Sequence, residues 1–320
     1  MTWRWGIAGP GGIAAKFAAD LALLDDAALV AVGSRSIERA AAFAATFGAA
    51  RAHGSYEDLA AEPDVDVVYV ATPHAQHAAL TELLLSAGKH VLCEKPFALN
   101  AAEARRMQAA AVSNDRFLME ALWSRFLPAY MQLAQLLRDG RIGEPRVVHA
   151  DFGFRMPVMP DHRLFDRALG GGALLDLGIY PVHLCSLVLG TPDRVSAEAQ
   201  LGETGVDEQV AALLHHPGGA LGVVQAAIRT TLPCTARISG TEGAIDIPAP
   251  MHRPTQLRIG DELIDANFTG NGLRFQAVEV HRCLAEGLRS SPVLPVDESI
   301  ALASTLDAIR AQVGLVYDAD

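Results

Sequence analysis

The sequence contains 320 residues, half of them hydrophobic, and carries a formal net charge of −11. A chain of this length and apolar content is large enough for two domains, and we therefore expect two. The acidic balance excludes a broad role in binding nucleic acid or anionic membrane surfaces, because such partners are normally met by a basic face.

No N-terminal stretch has the order of a secretory signal, and no run of about eighteen apolar residues would span a bilayer. We therefore expect a soluble, cytoplasmic protein with a small-molecule partner. The cysteines are widely scattered, which suits neither a zinc site nor a disulfide framework. We expect them to be reduced and mostly buried, and we expect no bound metal; they are Cys93, Cys185, Cys234 and Cys283.

Apolar strand-like runs alternate with alanine-rich helical runs in the first part of the chain. The predicted strands lie near Arg4–Ala8, Leu29–Gly33, Val65–Val70, Val91–Cys93 and Phe117–Met119. The predicted helices lie near Ile13–Leu24, Glu38–Phe47, Ala75–Ala87 and Ala101–Ala111. This alternation is typical of βαβ units with a parallel sheet. We predict a doubly wound (Rossmann) α/β domain over residues 1–122.

The rhythm changes after Pro128. A helix (Tyr130–Arg138), a strand (Arg146–Phe154) and a glycine-led helix (Ala173–Leu189) precede several strands in succession, near Val195–Gln200, Val210–His215, Leu221–Arg229, Thr235–Gly240 and Gln256–Ile264. Helices near Phe275–Gly287 and Ser299–Val313 end the chain. Strands that follow one another through short turns pair antiparallel. We predict that residues 123–320 form an α+β domain with an open antiparallel sheet.

The segment GPGGIA lies directly between the first predicted strand and the first predicted helix. Gly9, Gly11 and Ala14 fit the pattern G-x-G-x-x-A, in which the first glycine permits a tight turn and the second lets a pyrophosphate approach the backbone. Free N–H groups at the helix start would then hold the phosphates. The pattern predicts a dinucleotide site that includes Gly12 and Ile13, and the alternative is a glycine turn without a ligand.

The end of the second strand indicates which dinucleotide binds. An NAD site usually has Asp or Glu there, which accepts a hydrogen bond from the ribose, whereas this chain has Ser34 and Arg35, with Arg39 one helical turn later. A guanidinium suits a 2′-phosphate, so we predict NADP, with NAD still possible. The alternative is that both arginines are solvated charges at the start of a helix.

Two further segments carry candidate chemistry. Glu94 and Lys95 follow a buried strand at its carboxyl end, where ligands of open α/β sheets bind. Asp176, Tyr180 and His183 have the spacing of one helix face, and we expect Tyr180 to be the acid or base, with Lys95 lowering its pKa. The alternatives are a surface Lys95 paired with Glu94, and hydrogen-bonded core roles for Tyr180 and His183.

Several of these segments together resemble the GFO/IDH/MocA oxidoreductases, and most closely their dihydrodiol dehydrogenase and NADP-dependent D-xylose dehydrogenase branch. The segments are GIAGPGGIA, VVYVATPHAQHAAL, GKHVLCEKPFALN, MEALWSRFLPAY and RLFDRALGGGALLDLGIYPVHL. The resemblance implies an N-terminal dinucleotide domain, a C-terminal domain that binds substrate and often mediates dimerisation, and hydride transfer between NADP and a vicinal diol or sugar hydroxyl.

The resemblance also assigns residues by position. Lys95 would be the catalytic lysine, and Asp176 and Tyr180 would face the substrate. The nicotinamide end would be lined by Thr72, Pro73, His74 and His77. Many members have Asn at the position of His74 and His at that of Tyr180, so the proton step through Tyr180 depends on the narrower branch.

Aromatic and polar side chains near these segments are candidates for the substrate pocket, with core or sheet positions as the alternative: Trp123, Phe152, Phe154 and Phe165, with Arg125, Arg155 and His162. The sequence thus predicts an NADP-dependent oxidoreductase, a homo-oligomer, that acts on a secondary hydroxyl or carbonyl. A non-catalytic dinucleotide-binding regulator and a cofactor-assisted eliminase or glycoside hydrolase remain as alternatives.

Overall fold

The computed structural model describes residues 2–320. The chain forms two compact units, one of residues 2–98, 102–126 and 269–299, the other of residues 99–101, 127–268 and 300–320. This division differs from the single expected boundary between residues 122 and 123, because residues 269–299 pack with the first unit. Asp20, a buried carboxylate, accepts hydrogen bonds from the backbone N–H groups of Asn271 and Leu273, each at 2.7 Å. Contacts between segments so distant in sequence produce no local sequence pattern from which this division could be predicted.

The first part of the chain alternates strands and helices. Its strands are β1 (Trp3–Ala8), β2 (Ala27–Gly33), β3 (Arg51–His53), β4 (Val67–Val70), β5 (His90–Glu94) and β6 (Leu118–Ala121). Its helices are α1 (Gly12–Leu21), α2 (Ile37–Phe47), α3 (Tyr56–Ala61), α4 (His77–Ser86) and α5 (Ala101–Ser113). The strands form one parallel sheet in the order β3-β2-β1-β4-β5-β6. The predicted doubly wound fold is confirmed.

The strand order reverses between β1 and β4, and this point fixes where a ligand can bind. Chain connections leave the two strands in opposite directions, so a crevice forms beyond their carboxyl ends. The glycine turn follows β1, Thr72 follows β4 and Lys95 follows β5, and these strands are neighbours in the sheet. The parallel sheet therefore places all three segments at the same edge.

The remaining elements continue the chain to its C-terminal part. They are α6 (Pro128–Arg138), β7 (Pro145–Gly153), α7 (Ile179–Leu189), β8 (Arg194–Leu201), β9 (Asp207–His215), β10 (Leu221–Ala227), β11 (Ala236–Gly240), β12 (Ala244–Ile247), β13 (Gln256–Ile259), β14 (Glu262–Asp265), α8 (Arg274–Ala285) and α9 (Val296–Val313). Short strands β3 and β12 and helix α3 are absent from the sequence-based prediction, and the predicted strand Gln256–Ile264 is two strands around Gly260, whose φ is +57°.

The second unit contains an eight-stranded sheet in the order β14-β13-β12-β11-β7-β10-β9-β8. Every neighbouring pair is antiparallel except β7 and β10, which run parallel, so the sheet is mixed rather than purely antiparallel. Helix α7 packs on β7 and β10. Side chains of β7 accordingly alternate: Val148 and Ala150 are buried, whereas His149 on the opposite face is exposed.

By length and composition, the stretch Arg167–Leu189 is apolar enough to cross a membrane, contrary to the sequence-based expectation that no run would be. It contains α7, and 78% of its most apolar window is buried inside the structure. Core helices of soluble proteins have the same properties, because a helix covered on all sides is apolar all round.

Candidate active site

The glycine turn after β1 has the geometry of a phosphate-binding turn. Gly9 has a φ of +92°, and a Cβ at this position would lie 2.9 Å from the carbonyl oxygen of Ala71. Within residues 2–320, no side chain caps the start of α1, and a Cβ at Gly11 or Gly12 would meet no atom within 4 Å. The turn therefore has open space above it and uncapped N–H groups at a helix start, which fit a pyrophosphate.

The segment after β2 places two cations on the surface. Ser34 is buried, and its Oγ accepts a hydrogen bond from the N–H of Ser36 at 3.2 Å. Arg35 and Arg39 are exposed, and both lie close enough to Tyr56 to oppose the rise in the pKa of its phenol that burial causes. The nearby carboxylate of Glu38 accepts a hydrogen bond from the Ser36 hydroxyl at 2.7 Å. Two exposed guanidinium groups and one carboxylate thus lie at this end of the sheet.

The loop that carries Lys95 is fixed through its backbone. The N–H of Lys95 donates to Glu94 Oε2 at 3.2 Å, and Glu94 in turn accepts a hydrogen bond from the hydroxyl of Tyr69. The N–H of Phe97 donates to Glu120 Oε1 at 3.0 Å. The peptide bond between Lys95 and its following proline is cis. Three buried side chains therefore determine where the Lys95 backbone lies.

The His77 side chain contacts the backbone of the same loop. Its ring is fully buried, with Nδ1 2.8 Å from the carbonyl oxygen of Pro96 and Nε2 3.0 Å from that of Thr72. Burial, together with the neighbouring His74 and Lys95, lowers the pKa of His77 to about 3. The neutral ring connects the loops after β4 and β5, and its place at the nicotinamide end stays a prediction. Thr72 and His74 are also largely buried.

Glu120 is a site candidate that the sequence analysis did not identify. It lies at the end of β6, is fully buried, and burial raises its pKa to about 7. The sequence signal was present: one carboxylate in the otherwise apolar run FLMEAL. A buried ionisable group with a shifted pKa beside a functional loop is typical of active sites.

The helix that carries the second set of candidates begins irregularly. Residues Leu174–Gly178 form a π-helical turn, which continues directly into α7. Such turns are rare and often occur at functional sites. Asp176 lies in this turn, Tyr180 and His183 lie in α7, and all three side chains are at least 95% buried. The predicted polar set is thus inside the second unit, on the helix that packs on β7 and β10.

Asp176 has an ionic partner. Arg163, in the loop before the helix, donates from Nη1 to Oδ1 at 3.0 Å and from Nη2 to Oδ2 at 3.2 Å. Asp176 is largely buried, whereas the Arg163 side chain is 47% exposed. His162 and Arg155 were the residues predicted from this loop, and Arg163 was not, because an irregular loop has no periodicity that shows which side chain points inward.

Tyr180 lies among aromatic rings. Its ring centroid is 5.6 Å from that of Phe152 and 5.3 Å from that of His252, and the latter two rings stack at 4.2 Å with an interplanar angle of 8°. His183 stacks on Tyr130 at 6.2 Å. Phe152 was a sequence-predicted wall of the pocket, whereas His252, far along the chain, was not.

The other predicted pocket residues have diverse positions. Phe165 is a core residue with 1% exposure, and Trp123 is 8% exposed. Arg125 forms an ion pair with Glu298 at 3.2 Å. Phe154 and Arg155 are exposed, and His162 Nδ1 accepts a hydrogen bond from the N–H of Leu164 at 3.2 Å.

Across residues 2–320, no group of three or more His, Cys, Asp or Glu side chains has a metal-binding arrangement. Cys93, Cys185 and Cys283 are buried, and Cys234 is partly buried.

Comparison with known proteins gives a consistent family assignment. Residues 3–122 match the GFO/IDH/MocA family described as an oxidoreductase family with an NAD-binding Rossmann fold, and residues 130–246 match the GFO/IDH/MocA C-terminal domain. The trans-1,2-dihydrobenzene-1,2-diol dehydrogenase of Mus musculus is 43% identical over 334 residues, covering 100% of this chain and 99% of that protein.

Solved structures of similar proteins superpose over nearly the whole chain. An aldose-aldose oxidoreductase from Caulobacter crescentus, complexed with glycerol, is 27% identical with a TM-score of 0.88 and 98% of each chain covered. A 3-ketoreductase from Actinomadura kijaniata, in complex with NADP and TDP-benzene, is 26% identical with a TM-score of 0.85 and 98% of each chain covered.

Proposed function

Because the chain belongs to the GFO/IDH/MocA family of oxidoreductases, we propose that it transfers a hydride between NADP and a secondary hydroxyl or carbonyl carbon of a vicinal diol or sugar. The observation that carries this proposal is the buried polar set Asp176, Tyr180 and His183 on one helix of the second unit. Ionisable groups that are buried together on one helix are candidates for a functional site.

The cofactor supplies the redox chemistry when bound, because the nicotinamide accepts or donates the hydride. This chain's residues bind, orient and exchange a proton. Gly9, Gly11 and Gly12 would hold the pyrophosphate on backbone N–H groups at the start of α1. Arg35 and Arg39 would bind the 2′-phosphate. A charge-assisted hydrogen bond contributes about 1.5–3 kcal/mol, which supports NADP over NAD.

Tyr180 is the proposed acid or base for the hydroxyl proton. A phenol acts as a base near neutral pH when a nearby positive charge lowers its pKa, and Lys95 is the proposed source of that charge. The loop contacts of Glu94, His77 and Glu120 hold the Lys95 backbone in place.

Asp176 and Arg163 are the proposed groups for the second hydroxyl of the substrate. The carboxylate accepts a hydrogen bond from a hydroxyl, and the guanidinium keeps the carboxylate oriented through two hydrogen bonds. The stacked rings of Phe152 and His252 beside Tyr180 would contact the apolar face of a sugar or of a cyclic diol. This arrangement favours substrates with adjacent oxygen atoms.

The proposal is tested by a substrate screen. Vicinal diols, aldoses and dicarbonyls are each mixed with the enzyme and either NADP or NADPH, and nicotinamide absorbance is followed. A steady absorbance change with at least one diol or sugar is expected. Cofactor binding without turnover would favour a regulator, and product formed without a net absorbance change would favour an eliminase or hydrolase.

A homodimer through the open face of the second unit's sheet is also proposed. This face, opposite α7, carries Val147 and Val223, both partly buried, next to polar residues such as Gln225 and Arg237. A mixed apolar and polar sheet face is typical of interfaces between soluble subunits. Sedimentation at micromolar concentration is expected to give a dimer, and a monomer would contradict this part of the proposal.

A further inference from the structure

A glycine turn at residues 170–172 leads into the helix of the candidate site. Gly170 and Gly172 have φ values of +78° and +121°, and the N–H of Gly172 donates to the carbonyl oxygen of Leu164 at 2.9 Å. A Cβ on Gly171 would lie 2.6 Å from the carbonyl oxygen of Arg163 and 2.7 Å from that of Leu164. The turn is therefore packed directly on the backbone of Arg163, the residue whose guanidinium holds Asp176.

Tyr317 holds this turn from the C-terminal part of the chain. Its side chain is 2% exposed, and its hydroxyl donates to the carbonyl oxygen of Gly171 at 2.6 Å. The guanidinium of Arg310 lies 5.1 Å from the centre of the tyrosine ring and pairs with Asp320, which accepts the N–H of Tyr317 at 2.8 Å. The tyrosine is thus fixed on three sides, and its hydroxyl has a defined direction.

Asp207 holds the same turn from the sheet. It is the first residue of β9, is fully buried, and accepts the N–H of Leu174 on Oδ2 at 2.7 Å. Its Oδ1 lies so near Gly172 that a Cβ there would be 2.1 Å away. Leu174 is the first residue of the π-helical turn that contains Asp176. Burial raises the pKa of Asp207 to about 7.

We propose that Asp207 and Tyr317 are positioning residues that fix the 170–172 turn from two sides and thereby orient Arg163 and Asp176 toward the substrate. This inference rests on the proposed function, which assigns Arg163 and Asp176 to substrate binding. Both side chains form hydrogen bonds to the backbone on either side of the ion pair. Tyr317 holds Gly171, which packs on Arg163, and Asp207 holds Leu174, which precedes Asp176. A two-point ion pair depends on both partners' backbone positions, so a small shift of the turn misaligns it.

The test uses Tyr317→Phe, which removes one hydroxyl and keeps the ring. For wild type, Tyr317→Phe and the control Gln312→Ala, we would measure substrate KM, kcat and the number of NADP molecules bound per chain. Gln312 lies on α9, where its side chain contacts the backbone of Val195 and Ala197 on edge strand β8, away from the turn. We expect kcat/KM of Tyr317→Phe to fall about three- to tenfold at full NADP stoichiometry, the effect of one lost hydrogen bond. We expect the control to keep wild-type values.

A second comparison, in the Arg163→Ala variant, distinguishes a positioning role of Tyr317 from a general structural role. With Arg163→Ala, the path through the ion pair no longer exists, so adding Tyr317→Phe should change kcat/KM less than twofold. An equal loss in both backgrounds would overturn the proposal. Asp207→Asn, which keeps an acceptor oxygen for Leu174, should retain more activity than Asp207→Ala, and equal loss in these two variants would count against a role for the Leu174 contact.

Hydrogen exchange keeps the test independent of turnover. The peptide that covers residues 164–176 should exchange faster in Tyr317→Phe than in wild type and unchanged in Gln312→Ala. Unchanged exchange in Tyr317→Phe would overturn the proposal even if activity fell. If the wild-type enzyme turns over no diol or sugar, the proposed function fails, and the exchange result still decides whether Tyr317 fixes the turn.

Discussion

Arg163 and Asp176 form a two-point ion pair, with N to O distances of 3.0 and 3.2 Å, between a surface loop and the buried start of the site helix. Only one partner is well buried, so solvent weakens the attraction and the pair adds little to stability. Its geometry matters more than its strength, because the planar guanidinium fixes the direction of both carboxylate oxygens.

Replacing Arg163 should therefore affect substrate binding more than folding. We expect Arg163→Ala to raise substrate KM about tenfold or more and Arg163→Lys to recover little of it, since a lysine ammonium cannot form the two parallel hydrogen bonds. Steady-state kinetics on the substrate from the screen would measure this. Arg146→Ala, which removes an exposed pair with Glu144 in the same unit, is the matched control and should keep the wild-type KM. An unchanged KM in Arg163→Ala would remove the pair from the site.

The cofactor preference should depend on Arg35. We expect wild type to bind NADP at least about tenfold more tightly than NAD, because a guanidinium adds a charge-assisted hydrogen bond to the 2′-phosphate. Arg35→Asp should abolish or reverse this preference, since its carboxylate repels the phosphate and accepts from a ribose hydroxyl. Calorimetric titration with both dinucleotides would measure it.

The control for this change is Arg138→Asp, an equal change of charge at the exposed end of α6 in the other unit. It should leave both affinities unchanged, apart from a small salt-dependent effect. Equal affinity of the wild-type enzyme for NAD and NADP would refute the interpretation of the segment after β2.

The sequence was sufficient for the parts of the fold that depend on local patterns. The βαβ rhythm, the glycine turn and the buried helix with Asp176 and Tyr180 are all regular or nearly regular in sequence, and the structure contains each of them. Strand β3 and helix α3 were missed because three and six residues are too few to show a period. The parallel pairing of β7 with β10 depends on long-range topology.

Much of the candidate site could not be predicted because its contacts also depend on long-range topology. Arg163 contacts Asp176 from an irregular loop, and Tyr317 contacts Gly171 from residues near the end of α9. The His77 ring contacts the carbonyl oxygen of Pro96 in the Lys95 loop. Each contact joins segments whose separation is set by the folded backbone rather than by helix or strand periodicity. Sequence identified which residue types are present, and tertiary packing determined which of them meet.

Glu120 should make stability depend on pH in a specific direction. Its pKa is raised by burial from the usual 4.5 to about 7, so between these values the folded protein holds a proton that the unfolded chain has lost. Unfolding free energy therefore falls as pH rises from 4.5 to 7, by about 3 kcal/mol in total, and then levels off. Glu120→Gln keeps an acceptor for the N–H of Phe97 without ionising, so its stability relative to wild type should rise over this range.

Urea unfolding at several pH values would measure the effect, with Glu279→Gln as a control of opposite sign. Burial raises the pKa of Glu279, but hydrogen bonds from Arg282, Ser291 and Cys283 outweigh burial and lower it overall. Its carboxylate thus contributes stability that is present above the unfolded pKa and is lost as pH falls through the folded pKa. Glu279→Gln should be destabilised at neutral pH and recover at acidic pH. A pH-independent difference for Glu120→Gln would show that folding does not raise the pKa of Glu120.

The proton step should depend on Tyr180 and Lys95 as a unit. General acid or base assistance contributes about 10²–10⁴-fold in rate, so Tyr180→Phe should lower kcat by a factor in this range and leave NADP affinity nearly unchanged. Lys95→Met should lower kcat similarly, because without the ammonium charge the phenol has little tendency to ionise near neutral pH. Lys89→Met is the matched control: its Nζ donates to the backbone carbonyls of Glu62 and Val65, so it should lose stability but keep kcat.

The double variant decides whether the two residues share one proton. If Lys95 acts through Tyr180, the combined loss in kcat should be close to that of either single variant, whereas independent roles would multiply the two losses. The pH profile of kcat adds a second readout: wild type should show a limb from the tyrosine, and Tyr180→Phe should lack it. Near wild-type kcat in Tyr180→Phe would make Tyr180 a packing residue against Phe152 and His252, and the proton would then have to pass through His183 or water.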